Sequence, residues 1–160
     1  MKSNDQVQGV RMDGRTVFHD EIDVRRPPDI TTGVLWVVIP YTTPELTLAA
    51  MRHAGACSDL DVHVALIDLQ VVPFPCPIDQ PPINNEYSQH RLQELFSESG
   101  LPGRTAVLYT RDWLEGFRRV LEPNSLVVMA TKRRWWPTRE MKLARALSKA
   151  GHQVMLLSVR

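Results

Sequence analysis

Residues 125–139 read SLVVMATKRRWWPTR. The run Leu126-Val127-Val128-Met129-Ala130 is short, apolar, partly β-branched and bounded by polar residues, the pattern of a strand buried on both faces. At its carboxyl end the chain turns abruptly into Thr131-Lys132-Arg133-Arg134-Trp135-Trp136. Ligands of open α/β sheets bind beyond the carboxyl ends of the strands. The Lys132, Arg133, Arg134 triplet therefore reads as an anion site or as a solvated basic loop, and the residues leave both open.

Working outward, the same grammar repeats. Residues 34–39 form a continuous apolar strand closed by Pro40, and Thr43-Pro44-Glu45 has the N-cap and first-turn proline of a helix running to about Ala56. A second buried strand spans residues 63–69. Residues 71–82 hold five prolines and must be a long loop. Asn84 or Asn85 starts a helix ended by Gly100, and residues 104–109 form a third strand. Asp112 caps a helix over 113–121, broken by Pro123 and Asn124. After the strand at 126–130, a helix over about 138–150 ends at Gly151, and a last strand covers 153–159. Strands alternating with helices predict an α/β fold: a doubly wound, open, parallel five-stranded sheet with helices on both faces, joined by right-handed crossovers.

Residues 1–30 differ from this body, which occupies 31–160. Asp13-Gly14 between residues 8–12 and 15–20 predicts an N-terminal β-hairpin extension, and Arg26-Pro27-Pro28-Asp29 an extended linker.

The 160 residues fit one domain with a sizeable core. Nineteen Lys and Arg against eighteen Asp and Glu give a net charge of +1, which argues against a wholly basic nucleic-acid protein. No apolar run approaches the roughly 20 residues of a membrane span, and the first residues lack a secretory h-region. The expectation is a soluble, cytoplasmic protein with no membrane contact from this segment. Cys57 and Cys76 lack CxxC spacing and read as structural thiols. The five histidines are scattered, so no metal site is expected. Asp112 reads as a cap and Asp68 as a strand-end turn residue, leaving no acid/base pair and no catalytic residue. At least one of Trp135 and Trp136 is expected to be packing material.

The stretches Val38-Ile39-Pro40 with Thr43-Pro44-Glu45, Thr110-Arg111-Asp112, Asn124 to Thr131, and Val154-Met155-Leu156-Leu157-Ser158-Val159 together resemble the universal stress protein (UspA-like) domain, of the adenine-nucleotide hydrolase-like fold, over residues 34–160. The resemblance implies a stress-response role and dimerisation through the last strand, with Val154, Leu156 and Ser158 at the interface. An apolar strand at a sheet edge would itself demand a partner. Nucleotide-binding members carry a carboxylate after strand one and a GxxG, nine-residue, Gly-Ser/Thr phosphate cradle after strand four. Thr42 occupies the first position here, and no glycine follows Thr131 until Gly151. The nucleotide motif is degenerate, which argues against ATP and any cofactor.

Two functions follow. The first is a nonenzymatic, non-ATP-binding module acting as a homodimer or through a protein partner. The alternative is a binder of a nucleotide or other anionic small molecule through Thr42, Thr43, Thr131, Lys132, Arg133, Arg134 and Arg139. Single-stranded nucleic acid, met by Arg and Trp together, is disfavoured by the near-neutral charge.

Overall fold

A computed structural model describes residues 16–19, 33–56, 59–81 and 83–160. Within them the order is β1 (Thr16–His19), β2 (Val34–Pro40), α1 (Pro44–Ala56), β3 (Asp61–Val71), α2 (Asn85–Ser99), β4 (Gly103–Thr110), α3 (Trp113–Val120), β5 (Leu126–Lys132), α4 (Arg139–Lys149) and β6 (Gln153–Val159). The strands lie in the order β1-β4-β3-β2-β5-β6. The five strands from β2 to β6 are all parallel, as expected of the α/β class, and β1 pairs antiparallel with β4. The turn and first arm of the expected N-terminal hairpin, the linker at 26–29 and Cys57 lie outside the described residues.

The strands β2 to β5 are apolar on both sides because each side meets helices. Val37, Ile39, Val64 and Leu66 pack under α1 and α2, whereas Val38, Ala65, Ile67 and Met129 pack under α3 and α4. This period-two division of single strands between two cores is what a doubly wound sheet requires.

The helix starts are set by side-chain caps that satisfy amides with no intrahelical partner. Asn84 accepts from the Glu86 amide at 2.8 Å, Asp112 from the Glu115 amide at 2.7 Å, and Thr138 from the Met141 amide at 3.2 Å. The Thr43 hydroxyl likewise accepts from the Leu46 amide at 3.3 Å. Gly100 ends α2 in the left-handed conformation (φ 68°), where a Cβ is disfavoured. Gly103 is required for a different reason: a Cβ there would sit 2.0 Å from the Val64 carbonyl oxygen.

Two expectations are corrected. The second parallel strand runs from Asp61 to Val71, beyond the expected 63–69, so Asp68 is not a strand-end turn residue but lies inside β3 and is buried. Neither tryptophan of the basic loop is core material: Trp135 is 99% and Trp136 80% exposed. Thr131 and Thr138 anchor the two ends of that loop to each other by a 2.8 Å hydrogen bond between their hydroxyls. The proline-rich loop is tied back by Arg111, which donates to the Val72 and Pro73 carbonyls at 2.9 and 3.1 Å and stacks on Phe74.

Candidate functional site

The sheet order reverses at β2, whose neighbours are β3 on one side and β5 on the other. Helices leaving the two strands of such a switch diverge and open a crevice at their carboxyl ends. Two adjoining cavities occupy this edge. A cleft of about 500 Å³ is lined by Tyr41, Thr42 and Thr43 after β2, Asp68 to Val72 of β3 and its exit, Arg91 of α2, Trp113 of α3, and Arg139 and Glu140 of α4. Pro81 and Ile83, at the end of the proline-rich loop, form its outer wall. A groove of about 410 Å³ continues over Thr43, Leu46, Lys132, Arg134, Trp136, Pro137 and Thr138. Thr43, Arg139 and Glu140 belong to both.

The floor of the cleft is a polar network inside an apolar strand. Asp68 Oδ2 accepts from Arg91 Nη2 and from Gln70 Nε2, each at 2.8 Å, and Gln70 Nε2 also donates to the Ser88 hydroxyl at 2.8 Å. Burial raises the Asp68 pKa above the ordinary carboxylate value, and the Gln70 hydrogen bond and the Arg91 charge pull against it. Arg91 is in turn held by aromatic faces, with its guanidinium carbon 4.3 Å from the Tyr41 ring centroid and 5.7 Å from that of Tyr87. Burial also raises the Tyr41 pKa, with Arg91 opposing, so the phenol remains a neutral hydrogen-bonding group.

Arg139 is arranged differently. Its guanidinium carbon lies 3.7 Å from the Trp113 ring centroid, and no ion pair to it is formed among the described residues. Desolvation lowers its pKa against the pull of Glu140 and Asp68, and the guanidinium stays charged. Formal charges in the cleft balance: Asp68 and Glu140 against Arg91 and Arg139. The groove carries Lys132, Arg134 and Arg139 against Glu140 alone.

The sequence-derived candidates are thus divided. Thr42, Thr43 and Arg139 meet in the cleft, and Lys132, Arg134 and Arg139 in the groove. The Thr42 amide donates to the Thr47 hydroxyl at 3.2 Å. Lys132 is paired with Glu45 at 3.2 Å on the surface. Thr131 is buried and its hydroxyl shares a 2.8 Å hydrogen bond with that of Thr138, so it braces the loop and faces neither cavity. Arg133 is exposed and lines neither. Of the strand residues, Val154 packs against the α3/α4 core, while Leu156 and Ser158 are exposed on the same face.

Arg91, Gln70, Tyr41 and Trp113 are not among those candidates, and Asp68 is considered there only as a carboxylate explained by a strand-end turn. Asp68 carried a signal, as the one acid inside the apolar run VALIDL. The others carry none that separates them from ordinary boundary residues. Among the described residues no cluster of three His, Cys, Asp or Glu side chains could hold a metal ion, and no helix is long and apolar enough to cross a membrane. No family model matches the chain, and no curated protein matches it.

Proposed function

We propose that this α/β domain is a binding protein for a small molecule that is anionic at one end and uncharged and polar along its body. The carrying observation is Arg139, which stands between the two cavities, fixed on the Trp113 face and without a carboxylate partner among the described residues. A charged donor already ordered by stacking loses little entropy when it pairs with phosphate or carboxylate. Lys132 and Arg134 add positive charge on the groove side. Tyr41, Gln70 and Asp68 offer neutral and acceptor groups to the body of the ligand. Binding without catalysis is favoured by the state of Asp68, whose carboxylate is held by Arg91 and Gln70 and not poised beside a nucleophile.

The test is a thermal-shift screen of phosphorylated and carboxylated metabolites, with ATP and AMP included. A ligand at 100 times its dissociation constant stabilises by about 2.7 kcal/mol, which raises the midpoint by about 5–10 °C for a domain of this size. Arg139→Ala should abolish the shift. No shift with any anion, or an undiminished shift in Arg139→Ala, refutes the proposal.

The second reading is self-association of a UspA-like, cytoplasmic module. It is supported by the order of helices and strands over 34–160 and by β6, which pairs only with β5 among the described residues and leaves Met155 and Leu156 exposed at 40% and 36%. Unpaired strand edges with apolar side chains favour addition of another strand. Light scattering that reports a monomer at micromolar concentration would count against it.

A further inference from the structure

We infer that the basic loop and the outer face of α4 form a docking surface for single-stranded nucleic acid, which adjoins the small-molecule cleft and shares Arg134 and Trp136 with its groove. The near-neutral net charge conceals a strong segregation. Residues 131–160 contain eight of the nineteen Lys and Arg but one of the eighteen Asp and Glu, so they carry +7 while residues 1–130 carry −6. Charge asymmetry of this kind points to a polyanionic partner.

Three of these charges share one face of α4. Leu143, Ala144 and Leu147 hold α4 on the sheet, which turns Lys142, Arg145 and Lys149 outward as one exposed stripe at helical spacing. None of the three, nor Arg133 or Arg134, forms an ion pair among the described residues. In the loop that leads into α4, Trp135 and Trp136 are 99% and 80% exposed. Exposed indoles beside unpaired cations are the two parts of a single-strand site: bases stack on the rings and the backbone follows the charges.

An anionic bilayer fits this layout less well. Because β5 and β6 are parallel, α4 must run from the carboxyl edge of the sheet back to the amino edge. Its ten residue steps span about 15 Å. A membrane touching the tryptophans at the tip would leave Lys149 beyond the screening length of about 8 Å, whereas a flexible strand can follow the helix along its length.

The test uses fluorescence anisotropy with labelled oligothymidylate and oligouridylate of about 20 nucleotides, longer than one stacking platform needs. Phosphatidylcholine/phosphatidylserine vesicles run in parallel, and circular dichroism melts check that each variant folds. We expect oligonucleotide binding with quenched tryptophan emission, weakening steeply between about 50 and 200 mM salt. The triple variant K142E/R145E/K149E should bind at least about tenfold more weakly, with the slope of log K against log salt reduced by about 2. W135A/W136A should lose about fivefold or more per ring, together with the quench. Absence of oligonucleotide binding at low salt overturns the inference, as does binding that neither variant changes. Vesicle binding without oligonucleotide binding also overturns it and assigns the surface to an anionic bilayer.

Discussion

Replacing Arg91 with Met isolates the interaction at the floor of the cleft. In the native protein the Asp68 carboxylate is almost fully buried and receives Arg91 Nη2 at 2.8 Å, while the Arg91 side chain keeps about a quarter of its exposure (26% against 7% for Asp68). Removing one partner of a buried ion pair costs about 3–5 kcal/mol because the other charge is stranded. The exposure of Arg91 and the surviving Gln70 hydrogen bond reduce this to about 2–3 kcal/mol at pH 7, a fall in melting temperature of about 4–12 °C. The pH dependence identifies the cause. Burial already raises the Asp68 pKa against the opposing pull of Arg91, so losing Arg91 raises it further. A folded-state pKa above the unfolded value means that the native state binds the proton more tightly. Stability of Arg91→Met should therefore rise as pH falls through the window between the raised folded value and the ordinary aspartate value of about 3.9. Urea unfolding at pH 7 and near the lower end of that window would measure this. Asp68→Asn combined with Arg91→Met should recover much of the loss at pH 7, since no charge is left stranded. An equal loss at both pH values, or a double variant no more stable than Arg91→Met, would refute the reasoning.

His152 is buried at the start of the last strand, and burial lowers its pKa. The unfolded chain then takes up the proton first, so stability should fall as pH drops from about 6.5 through the lower folded value, and His152→Gln should flatten that part of the stability profile in denaturant titrations. Gly103→Ala places a Cβ 2.0 Å from the Val64 carbonyl oxygen, and because the neighbour is backbone the β3–β4 ladder must shift. A loss of roughly 1–3 kcal/mol is expected, measured by calorimetry, and an unchanged melting temperature would mean that the two strands do not approach as closely as described.

The architecture was legible because its causes are local. Caps at Thr43, Asn84, Asp112 and Thr138 and the left-handed Gly100 announce helix ends in the chain itself, and two-sided burial leaves apolar runs that periodicity detects. The second strand reads short at both ends, since the polar Asp61 and Gln70 interrupt its apolar run, and that shortening makes Asp68 look like a strand-end residue when it lies well inside β3. The Asp68, Arg91 and Gln70 network joins residues on two elements, so spacing alone cannot reveal it. The tryptophans failed for the opposite reason: their bulk suggests burial, yet whether a ring is buried depends on whether a surface lies beneath it. The charge segregation at 131–160 was present in the sequence and is hidden by any whole-chain total.

The fold itself does not account for the composition of residues 132–136. The loop is pinned at both ends, by the Thr131–Thr138 hydrogen bond and by the Lys132–Glu45 pair, so its path is set without help from the indoles. An indole that buried 150–250 Å² would contribute roughly 4–6 kcal/mol at about 25 cal/mol per Å², and Trp135 contributes almost none of this to the folded monomer. Arg133 and Arg134 add like charges close together with no acid between them, which opposes folding instead of assisting it. Both terms reverse sign on contact with a polyanion that presents flat apolar faces: the indoles are covered and the guanidinium groups neutralised in the same step. The loop therefore makes physical sense as half of an interface, and its departure from the economy of the surrounding domain is the strongest reason to seek the other half.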